Sequence, residues 1–142
     1  MIIVDVNVLI FAFNEDAPQH EKAREWLERA LSGSEALGFP WAVIHGFLRI
    51  TTMTPAVRPP FRIEHALGII DECFSSAAVT LVEPGPRYWP IFRKLLLDRD
   101  IHGKLVSDAH IAALAIEHDA SVCSTDRDFG KFPNLRVINP LA

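Results

Sequence analysis

Three aspartates stand where a chain of alternating strands and helices could bring them together. Asp5 ends the β-branched run Ile2-Ile3-Val4, Asp126 follows the run Ser121-Val122-Cys123, and Asp108 sits in the first turn of a helical stretch. In open α/β sheets ligands bind outside the carboxyl ends of the strands, the edge that Asp5 and Asp126 reach. Asn7 and Asp128 lie two residues beyond Asp5 and Asp126. Each acid has a structural explanation too. Asp108 suits a helix N-terminus, where negative charge is favoured by about 0.3–1 kcal/mol, and Asp126 suits a turn. Convergence of all three would require raised pKa values or a bound cation to offset their repulsion. All-oxygen ligands select Mg²⁺, or Mn²⁺ as the alternative, over zinc. Such an ion binds a phosphate oxygen and lowers the pKa of a bound water, which is the chemistry of phosphodiester hydrolysis. Spacing alone leaves a metal site and scattered structural acids both open.

The elements that must position these acids follow from hydrophobic periodicity. Ile2-Ile3-Val4 reads as a strand in the buried centre of a parallel sheet. Val8, Leu9, Ala12 and Phe13 follow helical spacing, and a second helix starting at Pro18 carries the stripe Ala23, Trp26, Leu27, Ala30 and Leu31 before Gly33 ends it. Ala36–Phe39 is a weak strand. Pro40 is expected in the first turn of a helix that buries Val43, Ile44, Phe47, Leu48 and Thr51. The Pro-rich residues 54–62 read as a loop, with Arg58 and Arg62 as a candidate groove wall. Ile63–Phe74 is helical, Val79–Val82 a strand, and Trp89–Leu97 helical. Ser107 is expected to N-cap the helix carrying Ile111, Leu114, Ala115 and His118. Ser121–Cys123 and Arg136–Ile138 are the last strands. The alternation predicts a single α/β domain over residues 1–142, with a mainly parallel sheet and helices on both faces.

Composition bounds the function. The chain has 142 residues, 49% hydrophobic and 23% charged, which excludes disorder and a disulfide scaffold. Its net charge of −4 is not that of a protein that coats nucleic acid, although a local basic groove can accompany an acidic pocket. No apolar run approaches the roughly 18 residues of a membrane span, and Asp5 interrupts the apolar start, which argues against a signal peptide. Cys73 and Cys123 fit no metal spacing and read as reduced core thiols, so a cytoplasmic protein is expected.

Three motifs in register resemble the PIN domains of VapC-type toxins. Met1–Leu9 resembles their opening strand, Leu105–Ala115 their third acidic motif, and Ser124–Phe129 with Phe132-Pro133 their fourth. The resemblance spans the whole chain. It implies a PIN-like three-layer domain with a twisted, mainly parallel sheet flanked by helices, and a metal-dependent ribonuclease that cuts transfer or ribosomal RNA to arrest translation. It implies Asp5, Asp108 and Asp126 as metal-binding and catalytic acids, with Asn7, Thr125 and Asp128 supporting them. It also implies a homodimer and a neutralising VapB-type antitoxin. Asp126 is the expected proton acceptor.

One departure stands out. The family's second motif offers a Glu on the helix after the second strand, but Trp41–Arg49 contains no acid. By register that Glu falls at Gly46 or His45. His45 and Arg49 are candidate substrate contacts, against the alternatives of a packed histidine and a surface ion pair. The missing acid also suits a catalytically weak or dead PIN-like module that binds RNA or antitoxin only. Phe11, Phe13, Trp41, Phe47 and Trp89 are candidates to line an antitoxin groove, against core packing. Other acidic-site folds fit poorly. A haloacid dehalogenase-type phosphatase wants an acid where Asn7 stands, a receiver domain wants Asp where Glu83 ends its strand, and a dinucleotide-binding fold wants a Gly-rich first turn.

Overall fold

The computed structural model describes residues 1–53 and 55–142. The chain runs β1 (Ile2–Val4), α1 (Val6–Phe13), α2 (His20–Leu31), β2 (Leu37–Pro40), α3 (Trp41–Thr51), α4 (Ile63–Phe74), β3 (Val79–Val82), α5 (Tyr88–Asp98), α6 (Leu105–Glu117), β4 (Ser121–Cys123), a 3-10 turn (Arg127–Lys131) and β5 (Val137–Ile138). Among the described residues all five strands are parallel, in the order β3-β2-β1-β4-β5, and six helices flank them in a three-layer α/β domain. The order reverses at β1, which pairs with β2 on one side and with β4 on the other. That reversal is the topological switch point, where a crevice opens at the carboxyl ends of the strands.

The central strands are apolar because both their faces are covered. Ile3, Val4 and Val122 are fully buried, and Ile3 faces Val122 across the β1–β4 ladder. Gly38 in β2 permits close packing, since a Cβ there would lie 2.5 Å from Val82 Cγ2 of β3. Helix α6 shows why its sequence lacks a clean polar face. Ala109 and Ile111–Ala115 are buried all round it, so small residues let it lie against β1 and β4. Phe39, Phe47 and Phe129 are the largest fully buried side chains.

Several expectations shift. Ser107 does not cap α6: the helix begins at Leu105 with Lys104 as N-cap, so Ser107 is the third helical residue and Asp108 completes the first turn. Pro40 ends β2 and caps α3 from extended backbone (φ −69°, ψ 153°) instead of entering the helix. Its ring suits that junction, because its missing N–H is one the helix could not satisfy. The second helix starts at His20 and the last strand shortens to two residues. Residues 55–62 form no helix or strand, and Thr54, the first residue of the expected loop, lies outside the described residues. Phe47 belongs to the core and not to any partner groove, whereas Trp41 and Trp89 are exposed.

Candidate active site

The two strand ends at the switch point are tied by one hydroxyl. Asp5 caps α1: its Oδ1 accepts from the Val6 amide at 2.8 Å, and its Oδ2 accepts from Ser124 Oγ at 2.6 Å. The Asp5 amide donates to the Cys123 carbonyl at 2.9 Å, which continues the β1–β4 ladder into the site. Ser124 Oγ also accepts from the Asp126 amide at 3.0 Å and from Asn7 Nδ2 at 3.5 Å. One hydroxyl thus uses its single proton and both lone pairs. Asn7 Oδ1 accepts from the Thr125 amide at 3.4 Å, a second strap across the same crevice.

Beyond this strap lies a group of carboxylates. Asp126 caps the 3-10 turn, its Oδ1 accepting from the Asp128 amide at 2.9 Å. Asp108 enters from the first turn of α6. One carboxylate oxygen from each of Asp108, Asp126 and Asp128 lies within 4.8 Å of the others. Lys131 Nζ stands 3.2 Å from Asp128 Oδ1. Burial and then the negative charges of Asp126, Asp5 and Asp128 push the Asp108 carboxyl up to about 6, with Lys104 opposing. Burial also raises Asp5, against the Ser124 and Val6 hydrogen bonds, and the Asp126 charge adds to the rise.

The compact trio is therefore Asp108, Asp126 and Asp128, whereas sequence spacing singled out Asp5, Asp108 and Asp126. Asp5 is 8% exposed and both its oxygens are hydrogen-bonded, so it faces the trio through its charge. Mg²⁺ takes oxygens at about 2.0–2.1 Å, so its ligand oxygens stand roughly 3–4 Å apart. The trio's oxygens need only a small closing movement to meet such an ion, and their all-oxygen chemistry suits it.

Helix α3 contributes no acid. A Cβ on Gly46 would lie 3.3 Å from Val6 Cγ2, so one of the two positions where the family's Glu falls by register faces the residue next to Asp5. His45 is exposed, its ring 5.9 Å from that of Trp41, and Arg49 is exposed. Among the described residues no hydrogen bond or ion pair joins either one to the carboxylates. Arg58 and Arg62 are exposed, with Arg62 3.4 Å from Glu64. An apolar groove of about 340 Å³ between α1, α2 and α4 is lined by Phe13, Leu27 and Cys73 and by none of the site acids.

Ser124 is the functional residue that sequence reasoning overlooked. Its signal was the spacing Ser124-Thr125-Asp126, in which a hydroxyl accepts from the amide two residues on.

Comparison with known proteins identifies the family. The PIN domain family matches residues 2–135. The chain is 38% identical to VapC ribonuclease Mb2897 of Mycobacterium bovis, over 99% of this chain and 96% of that protein. It is 37% identical to Ribonuclease VapC37 of Mycobacterium tuberculosis, over 100% and 99%. The fold is similar to VapBC2 from Rickettsia felis bound to a promoter DNA fragment, with TM-score 0.72, 16% identity and 98% of each chain covered. It is also similar to Mycobacterium tuberculosis VapC20, described as a sarcin–ricin loop cleaving toxin, with TM-score 0.69, 17% identity and coverage of 96% and 99%. A parallel sheet reversing at an acidic crevice, a full-length domain match and relatives above one-third identity place this chain in the PIN-domain family, among the VapC ribonucleases.

Proposed function

We propose that this chain is a Mg²⁺-dependent endoribonuclease toxin of a toxin–antitoxin pair, acting in the cytoplasm and neutralised by a VapB-type antitoxin. The observation that carries the reading is the convergence of Asp108, Asp126 and Asp128 beside Asp5 at the sheet's switch point. Those three acids would hold the ion, with Asp5 adding its charge. When bound, the ion supplies electrostatic stabilisation of the phosphate and a water of lowered pKa. Mn²⁺ suits the same oxygens. Ser124 and Asn7 hold the two strand ends in register, so that Asp126 keeps its place relative to Asp5. Without an ion, a proton on the Asp108 carboxylate relieves the repulsion, since that group is pushed up to about 6. Asp126 would accept the proton of the attacking water, a role separate from that of Asp108 in the ion-free site.

Transfer or ribosomal RNA is the substrate class we favour, and the VapC20 likeness supports the ribosomal option. The VapBC complexes among the structural neighbours support an antitoxin partner, and a homodimer is what the family resemblance implies. A second reading, an RNA- or antitoxin-binding module without catalysis, draws on the acid-free helix around Gly46. Cleavage of total cellular RNA by antitoxin-free protein separates the two. We expect cutting with Mg²⁺ or Mn²⁺, none with EDTA, and none in Asp108→Asn or Asp126→Asn. Folded wild-type protein that cuts nothing under any of these conditions selects the binding module.

A further inference from the structure

The chain contains four lysines. Two are engaged elsewhere: Lys22 Nζ donates to the Leu141 carbonyl at 3.0 Å, and Lys94 pairs with Asp98 at 2.7 Å. The other two stand beside the carboxylates. Lys131 lies three residues after Asp128 on the 3-10 turn, its ammonium 3.2 Å from that carboxylate and about half exposed at 53%. Lys104 is the N-cap residue of α6, four residues before Asp108, and is exposed. Residues four apart share a helix face, about 5–6 Å between Cβ atoms. Among the described residues no ion pair involves Lys104. It nevertheless acts on Asp108 electrostatically.

The trio and Asp5 carry up to four negative charges, more than one divalent ion offsets, and the whole chain is net negative. A polyanionic strand approaching this crevice therefore meets repulsion unless local cations flank it. Lys104 at the start of α6 and Lys131 at the end of the 3-10 turn flank the carboxylates from different elements. Lys131 is held by Asp128 in the ion-free state. Any cation taken up by Asp128 frees that ammonium to turn outward.

We propose that Lys104 and Lys131 are substrate-binding residues that clamp RNA phosphates flanking the scissile bond, one from each side of the acidic crevice. The inference rests on the ribonuclease reading and deepens it by naming what holds the strand. Each lysine that neutralises a phosphate of single-stranded RNA contributes about 0.7 to the slope of log affinity against log salt. A lysine serving only to steady Asp128 or α6 contributes nothing to that slope.

The test measures binding of a labelled single-stranded poly(U) RNA to full-length protein in EDTA and in Mn²⁺ across a salt series, together with cleavage kinetics. The variants are Lys104→Gln, Lys131→Gln, the double variant, both Lys→Arg changes, and Lys94→Gln as a control. We expect each Gln variant to weaken binding about 3- to 10-fold, to reduce the slope by about 0.7, and to raise KM more than it lowers kcat. Arginine at either position restores the slope, and Lys94→Gln behaves as wild type. Folded variants with wild-type slope and KM overturn the clamp while leaving the nuclease intact. Wild-type protein that neither binds nor cuts RNA overturns both.

Discussion

The two halves of the acidic crevice are built in opposite ways. On the β1 side, Asp5 is buried, caps α1 with one oxygen and accepts from Ser124 with the other. On the side formed by α6 and the 3-10 turn, Asp108, Asp126 and Asp128 are half-buried, and their oxygens crowd one another within 4.8 Å. The first half is a fully satisfied network, and such a network fixes geometry. The second half holds like charge that Lys131 offsets only at Asp128, and the remainder is relieved by a proton or a cation. The difference teaches a division of labour: a rigid anchor on one side sets the position of a reactive cluster on the other.

That division can be broken most sharply on the reactive side. Replacing Asp108 or Asp126 by Asn removes charge but keeps shape, and at position 126 the amide side chain retains an oxygen able to cap the 3-10 turn as Asp126 does. Each change should lower cleavage by roughly 10³-fold, the loss of several kcal/mol of charge stabilisation, with melting temperature held or raised. A loss below tenfold in either variant would move the reactive centre elsewhere.

Breaking the anchor should give the next largest effect. Ser124→Ala leaves a buried Asp5 oxygen without its donor, costing about 1–3 kcal/mol of stability and roughly 10- to 100-fold in metal affinity or activity. Urea titration and cleavage kinetics on the same preparation check both figures. An effect on stability alone would reduce Ser124 to a packing residue.

Gly46→Glu sharpens the comparison by adding an acid where α3 faces Val6. We expect Mn²⁺ affinity to rise several-fold, with a stability loss on the order of 1 kcal/mol as Val6 gives way. Unchanged affinity in a folded variant would show that this helix face does not reach the carboxylates.

The smallest effect is one of pH. The folded-state pKa of Asp108 is raised to about 6 from the ordinary 3.8, so the folded protein binds more protons than the unfolded chain in that window. Its stabilising contribution is complete below the unfolded value and is lost as pH rises through about 6. In EDTA the melting temperature should therefore fall between about pH 4 and 7, and Mg²⁺ should restore it at the upper end. Asp108→Asn should flatten the profile.

Much of this was legible in the sequence, for physical reasons. A fully apolar run such as Ile2–Val4 suits a central strand of a covered sheet, and the strand–helix alternation followed from that. Asp5, Asp108 and Asp126 stood out because strand ends and helix starts collect at one sheet edge. What stayed hidden depends on tertiary contact. Asp128 reads from the sequence only as a supporting residue, and it joins the reactive group because the 3-10 turn folds it back beside Asp126, a turn with no periodicity to read. Ser124 has a local signal in its bond from the Asp126 amide, but its tie to Asp5 joins it to a partner 119 residues away. Ser107 was assigned a capping role on residue type, yet the helix extends two residues further upstream because Leu105 and Val106 are partly buried within it. For Phe47 the core reading holds over the groove alternative: it lies in the core facing Phe13 at a ring separation of 6.1 Å.

The most direct measurement is a calorimetric titration of Mn²⁺ into wild-type, Asp126→Asn, Asp128→Asn and Asp5→Asn protein at neutral pH. We expect one ion to bind the wild type, binding to be lost in Asp126→Asn and strongly weakened in Asp128→Asn, and the smallest loss in Asp5→Asn, whose oxygens are already hydrogen-bonded. Binding that survives at wild-type strength in Asp126→Asn and Asp128→Asn, or that depends on Asp5 alone, would contradict the assignment of the reactive cluster.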